Sequence, residues 1–201
     1  MRSAWIAAAG LTVLLAALPA TPSQAISAPE PPGGTGALGV PGPPPFRGQG
    51  FAIGDSVMMG ARRCLEPKAW TVDAVGSRQA DAVADNLWAR RGHLPRVIVV
   101  HTGTNAGVDQ RQFDRIMRVV GHRITVVWVT VQLPETPRYT REDSTNRVIR
   151  SSVPRHLNAR LADWNAVSFP HRHQWMWGDG IHLTPAGCTA YARLVDRVAR
   201  A

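Results

Sequence analysis

From residue 51 onward the chain alternates short apolar runs with amphipathic stretches, and this alternation restricts the fold more than any other feature. The apolar runs predict five strands, at residues 51–53, 70–72, 96–100, 124–131 and 157–161. The amphipathic stretches predict helices at residues 56–65, 79–90, 110–120, 144–151 and from 185 onward. Strands that alternate with helices predict an α/β fold, here a three-layer α/β/α sandwich around a five-stranded, mainly parallel sheet.

The first 25 residues have the layout of a secretory signal peptide. Arg2 supplies a positive charge, residues 5–18 are almost entirely apolar, and Ser23-Gln24-Ala25 fits a small-x-small cleavage site. The apolar run is shorter than the roughly 20 residues that span a bilayer, which favours cleavage over the alternative of an N-terminal membrane anchor. We therefore expect a secreted, extracellular protein.

Residues 26–49 are rich in proline and glycine. Such a composition cannot bury a core, and it predicts a disordered linker between the signal peptide and the folded part. One domain is then expected over residues 50–201.

The formal net charge of the chain is +9, and Lys68 is its only lysine. The arginines stand singly or in pairs, without the basic run that nucleic-acid binding would favour. We expect no nucleic-acid partner and no oligomer. A basic surface of this kind suits an anionic cell-wall polymer.

The chain contains two cysteines, Cys64 and Cys188. In an exported protein an isolated pair predicts a disulfide, and the first and last helices of such a sheet tend to lie side by side. Two buried free thiols are the alternative. Neither a metal site nor a cofactor is expected, because two distant cysteines without a local ligand partner do not make a zinc site.

Polar residues follow several predicted strands, at the sheet edge where ligands bind in such folds. Gly54-Asp55-Ser56 follows the first strand and places a serine hydroxyl at a helix N-terminus. Gly76 follows the second strand, and Gly103-Thr104-Asn105 follows the third. The N–H groups of Ser56 and Gly76, with the side-chain amide of Asn105, are candidate donors of an oxyanion hole. Each feature alone is equally explained by a helix cap or a turn.

Asp179-Gly180-Ile181-His182 precedes the last predicted helix. A serine hydroxyl needs a base to take its proton, and a histidine base needs a carboxylate to hold its tautomer. A spacing of three residues lets Asp179 turn back onto His182. We therefore expect Ser56, His182 and Asp179 to form a catalytic triad.

Together these segments resemble the four sequence blocks of the SGNH (GDSL-type) hydrolases. They are similar to the SGNH domains associated with bacterial polysaccharide acyltransferases. The resemblance implies a flavodoxin-like sheet, Ser56 as nucleophile, Gly76 and Asn105 as oxyanion donors, and the Asp179–His182 pair. The sequence departs from the family in two places: Ala106 replaces the aspartate that commonly follows the block-three asparagine, and the block around Gly76 matches loosely.

Two tryptophans, Trp175 and Trp177, directly precede the Asp179 loop. They are candidates for a substrate-binding aromatic platform, and a core role for at least one is the competing interpretation. The remaining histidines lack ligand spacing, and surface or capping roles are expected for them: His93, His101, His122, His156, His171 and His173.

The first functional hypothesis is an esterase that hydrolyses a small acyl ester on a carbohydrate or lipid through an acyl-enzyme at Ser56. An O-acyltransferase acting on a cell-wall or extracellular glycan would use the same residues. A non-catalytic wall-binding module that retained the fold is the hypothesis from a different class.

Overall fold

The structure is a computed structural model that describes residues 48–201. The predicted signal peptide and all but the last two residues of the predicted linker lie outside the described residues. Of those two residues, Gln49 donates a backbone hydrogen bond of 2.8 Å to the carbonyl of Ala69.

Five parallel strands form one sheet in the order β2-β1-β3-β4-β5. The strands are Gly50–Gly54 (β1), Trp70–Ala74 (β2), Val97–His101 (β3), Thr125–Val129 (β4) and Ala159–Ala162 (β5). Gly54 lies opposite both Ala74 and His101, so β1, β2 and β3 end at one level. The loops that follow these three strands therefore meet at one edge of the sheet.

Seven helices pack around the sheet in the described part of the chain. They are Ser56–Leu65 (α1), Ala80–Ala89 (α2), Gln110–Val120 (α3), Glu142–Ser152 (α4), Trp164–Ser168 (α5), Arg172–Trp175 (α6) and Pro185–Arg200 (α7). Asp109 caps α3 in a capping box with Gln112, and Thr184 caps α7 ahead of Pro185. These caps confirm the helix starts predicted at both positions.

Both faces of the sheet are buried, as the continuous apolar runs predict. Ala52, Val99 and Val127 face the core formed with α1, α5 and α7. Their neighbours along the strands, such as Phe51 and Ile98, face the core formed with α2, α3 and α4. The predicted three-layer α/β/α sandwich is confirmed.

Some sequence predictions were wrong in detail. Leu157 lies in the turn before β5 and is fully exposed, because the fifth strand begins only at Ala159. The short helices α5 and α6 were not predicted, since each is too short to show a helical period. Val198 is only half-buried near the end of α7.

The predicted disulfide is confirmed: Cys64 on α1 is bonded to Cys188 on α7, with their Cα atoms 5.9 Å apart. The two helices pack side by side on one face of the sheet, as expected. None of the helices in residues 48–201 is long and apolar enough to cross a membrane.

Candidate active site

Ser56, His182 and Asp179 form a chain of hydrogen bonds at the carboxyl edge of the sheet. The Ser56 Oγ lies 3.0 Å from the His182 Nε2, and the His182 Nδ1 lies 2.6 Å from the Asp179 Oδ2. Ser56 is the first residue of α1, directly after β1. The structure therefore brings together the three residues that the sequence analysis selected for a triad.

The carboxylate decides the tautomer of His182. An ionised carboxylate only accepts hydrogen bonds, so Nδ1 carries the proton and donates it to Asp179. Nε2 is then free to accept from the Ser56 hydroxyl. This is the arrangement in which a histidine can take the proton of a serine as it attacks.

Asp179 also shapes the loop that carries it. Its Oδ1 accepts the backbone N–H groups of Ile181 (2.8 Å) and His182 (2.9 Å). Partial burial raises the pKa of the Asp179 carboxyl, but the hydrogen bonds from His182 and Ile181 outweigh burial and hold the pKa below its ordinary value. The carboxylate therefore stays charged at neutral pH.

The loop from Trp177 to His182, called the catalytic loop below, is closed like a hairpin. Met176 and Leu183 form an antiparallel bridge, and the Trp177 N–H donates to the His182 carbonyl at 2.7 Å. Gly180 has a φ of +71°, which glycine adopts at little cost. These bonds fix the imidazole relative to the start of α7.

Asp55 is a residue for which the sequence analysis gave no role. Its side chain is fully buried and caps α1 by accepting the Val57 N–H at 3.0 Å. Its second oxygen accepts the Thr104 N–H at 3.3 Å, from the loop that follows β3. Asp55 thereby links the serine turn to the loop that carries Asn105.

The candidate oxyanion donors Gly76 and Asn105 lie in the turns that follow β2 and β3. Asn105 is exposed in the turn after β3, and its side-chain amide makes no hydrogen bond to any described residue. Gly76 lies in the exposed turn after β2, where the preceding residue, Val75, donates to the Gly54 carbonyl at 3.2 Å. Both loops therefore reach the edge at which Ser56 lies, and their role as donors is a proposal.

The two tryptophans have different environments. Trp177 is 56% exposed and borders two surface depressions, of about 550 and 440 Å³. Trp175 stacks between Trp164 (5.7 Å between centroids) and His171 (4.2 Å) and is partly buried. Trp177 is thus available to a ligand, whereas the contacts of Trp175 are those of a packing residue.

The larger depression lies between the catalytic loop and the loop that follows β4. Pro134 packs against Gly180, where a Cβ atom would come within 3.0 Å of the proline. Glu142 holds the loop by accepting the Leu133 N–H and an Asn165 side-chain N–H. Burial raises the pKa of Glu142, and it outweighs these two hydrogen bonds, which lower the pKa. The sequence analysis gave no role to Glu142.

The expected surface or capping role was wrong for His101. The ring is fully buried at the end of β3, and its Nδ1 lies 2.7 Å from the Tyr191 hydroxyl. Burial lowers the pKa of His101, although the charge of Asp55 acts in the opposite direction. His101 is therefore a neutral core residue below the serine turn.

Within residues 48–201, no three His, Cys, Asp or Glu side chains are grouped as metal ligands would be.

The fold is that of the GDSL-type, or SGNH, hydrolases, and comparison with solved structures confirms this resemblance. The C-terminal catalytic domain of peptidoglycan O-acetyltransferase A (OatA) from Streptococcus pneumoniae, solved with a methylsulfonyl adduct, superposes with a TM-score of 0.69. It is 21% identical, and the match covers 75% of this chain and 91% of that domain. A lipolytic G-D-S-L family protein from Veillonella parvula gives a TM-score of 0.58 at 13% identity, covering 74% and 96%.

In sequence, the chain is similar to the peptidoglycan O-acetyltransferase OatA of Listeria monocytogenes. The two are 26% identical over 154 residues, which cover 75% of this chain and 24% of that protein. The chain thus spans about a quarter of the length of this curated relative. No protein-family model matches the chain.

Proposed function

We propose that this protein is an O-acyltransferase that esterifies a hydroxyl of a cell-wall or extracellular glycan through an acyl-enzyme at Ser56. The observation that carries the proposal is the chain from the Ser56 Oγ through His182 to Asp179. Similarity to two peptidoglycan O-acetyltransferases favours transfer over the hydrolysis that the sequence analysis put first.

In the first half-reaction, His182 Nε2 takes the proton of Ser56 as Oγ attacks the carbonyl of an acyl donor ester. The donor alcohol leaves with that proton, and the acyl group stays on Oγ. In the second half-reaction, a glycan hydroxyl gives its proton to Nε2 and attacks the acyl carbonyl. The bond from the acyl carbon to Oγ breaks, and Nε2 passes the proton to Oγ, which restores Ser56 and His182. The N–H groups of Ser56 and Gly76 and the amide of Asn105 would stabilise the oxyanion in both.

The openness of the site supports a polymeric substrate. The side chains of His182 and Asp179 are 46% and 45% exposed, and Asn105 is also at the surface. A glycan strand can therefore reach Nε2 from outside, whereas a small-molecule site usually encloses most of its ligand.

Hydrolysis is the second candidate, with water in place of the glycan hydroxyl and with the same residues. The lipolytic G-D-S-L relative from Veillonella parvula favours it. The test supplies the purified protein with 4-nitrophenyl acetate, with and without an acceptor oligosaccharide, and measures acetylated oligosaccharide against free acetate. Transfer predicts ester product that depends on Ser56. Free acetate alone, at a rate unaffected by the acceptor, would assign the protein as a hydrolase.

A labelling experiment distinguishes an enzyme from a wall-binding module that has no catalytic activity. A serine-directed phosphonate should modify the wild-type protein once and leave Ser56→Ala unmodified. An inert wild-type protein would support the binding module.

We further propose that the protein acts outside the cytoplasm as a monomer, with its basic surface near anionic wall polymer. The disulfide between Cys64 and Cys188 supports an oxidising compartment, as does the predicted signal peptide.

A further inference from the structure

A groove of about 440 Å³ runs along α1 and begins one helical turn after Ser56. Met59, Gly60 and Arg63 line it from the helix, and Trp177 lines it from the catalytic loop. The groove therefore has one wall on the helix of the candidate nucleophile and another on the loop of the candidate base.

Ser56, Gly60 and Arg63 share one face of α1. Residues three and four apart lie above one another on a helix, which rises 1.5 Å per residue. Gly60 is therefore about 6 Å, and Arg63 about 10 Å, from Ser56 along the helix axis. A chain molecule whose ester group lies at Ser56 would extend over Gly60 towards Arg63.

Gly60 has no packing explanation. Glycine is unfavourable inside a helix, and it is usually retained where another backbone or a ligand approaches closely. A Cβ atom on Gly60 would meet nothing within 4 Å, so no described residue requires the missing side chain. The open floor that Gly60 leaves is the space that a ligand would occupy.

Two of the residues that line the groove are large, apolar and exposed. Met59 is 47% exposed and Trp177 is 56% exposed, and both line the groove. A tryptophan face suits the apolar face of a sugar ring.

The charge of the groove is positive. Arg63 is exposed and forms no ion pair with any described residue. Arg62 donates to the Ala74 carbonyl at 3.3 Å, and its nearest carboxylate, on Glu66, is 3.8 Å away. The two arginines and Glu66 together leave the groove with a net charge of one positive unit. The planar guanidinium group of an arginine matches a carboxylate in both geometry and charge.

We propose that this groove is a substrate subsite for a sugar that bears a carboxylate. This sugar belongs to the same glycan strand as the hydroxyl that reacts at Ser56, further along the strand. Arg63 pairs with the carboxylate, Met59 and Trp177 contact the ring, and Gly60 leaves room for it. The inference rests on the proposed function and adds a charge preference to it: the preferred glycan is anionic.

The test is direct binding, which does not require turnover. Calorimetry compares an oligogalacturonate with its carboxamide derivative, which has the same rings without the charge. The wild-type protein should bind the carboxylate form more tightly by up to about fivefold, the upper range for one solvent-exposed ion pair. Arg63→Gln should lose this preference. Arg118→Gln, the same change at an exposed helical arginine on the other face of the sheet, should keep it.

Gly60→Gln fills the groove without changing its charge. It should weaken binding of both oligosaccharides while raising the melting temperature, since glutamine is the better helix former. Loss of binding then cannot come from misfolding. Equal affinity of the wild-type protein for the two oligosaccharides, or a preference retained in Arg63→Gln, would overturn the subsite. Failure of Ser56-dependent acyl transfer would instead overturn the proposed function, and the binding results would stand.

Discussion

Cys64 and Cys188 join the helix that begins at Ser56 to the helix that follows His182. Cys64 lies two turns after the serine, and Cys188 lies in the first turn of α7. The disulfide therefore ties together the two elements from which the candidate nucleophile and the candidate base project.

We expect loss of this disulfide to lower the stability of the protein. The two cysteines are 124 residues apart, and closing so long a loop stabilises a fold by up to about 5 kcal/mol in the chain-entropy model. The double variant Cys64→Ala, Cys188→Ala should therefore unfold at a lower denaturant concentration than the oxidised protein. Alkylation without prior reduction should label neither cysteine of the wild-type protein; two labelled cysteines, or an unchanged midpoint, would contradict the prediction.

Ser56→Ala and His182→Ala should abolish turnover of a nitrophenyl ester while the fold is retained, because each removes a reacting group. Asp179→Ala should lower kcat severely but leave measurable activity, since Nε2 still lies beside Ser56 without its orienting partner. Circular dichroism checks the fold of each variant. Full activity in any of the three would remove that residue from the mechanism.

Asn105→Ala should lower kcat by roughly 10²- to 10³-fold, the usual effect of losing one oxyanion donor. KM should change little, because the donor acts mainly in the transition state. Steady-state kinetics with a nitrophenyl ester separates the two constants. A variant that raises KM alone would make Asn105 a substrate-binding residue instead.

Local patterns predicted the sheet and the Asp179–His182 pair because both depend on short spacings along the chain. The ends of the predicted strands were clear from the apolar runs. Ser56, Gly76 and Asn105, which follow three of these strands, could therefore be assigned to the carboxyl edge of the sheet. The bond from Thr104 to Asp55 joins residues 49 apart, and nothing local marks it. Likewise, the burial of His101 depends on the packing of α7, which places Tyr191 against it.

The buried His101 should make stability depend on pH. Burial lowers the pKa of this ring in the folded protein, whereas the unfolded chain takes up the proton near pH 6.5. Below that pH the unfolded state binds more protons, so the free energy of unfolding should fall as pH falls, by up to about 1.4 kcal/mol per pH unit.

Replacement of the ring tests this dependence. Urea denaturation between pH 7.5 and 5 should give a steeper loss of stability for the wild-type protein than for His101→Gln. The comparison uses the slopes, because the substitution also changes packing beside Tyr191. Parallel curves would show that His101 does not control this dependence.

Asp55 should affect both stability and catalysis, and Asp109 provides a matched control. Each aspartate caps a helix, so Asp55→Ala and Asp109→Ala should each cost about 0.5–2 kcal/mol of stability. Only Asp55 also accepts the Thr104 N–H, next to Asn105. Asp55→Ala should therefore lower kcat, whereas Asp109→Ala should not.

Asp55→Asn separates the two roles of the side chain. The amide oxygen of asparagine can still cap α1, but its NH₂ group cannot accept from Thr104. We expect Asp55→Asn to keep more stability than Asp55→Ala while still lowering kcat, since the Asn105 loop loses its tie to the serine turn. Urea denaturation and nitrophenyl ester kinetics on the same preparations measure both effects. Wild-type kcat in Asp55→Asn would restrict Asp55 to capping the helix of the nucleophile.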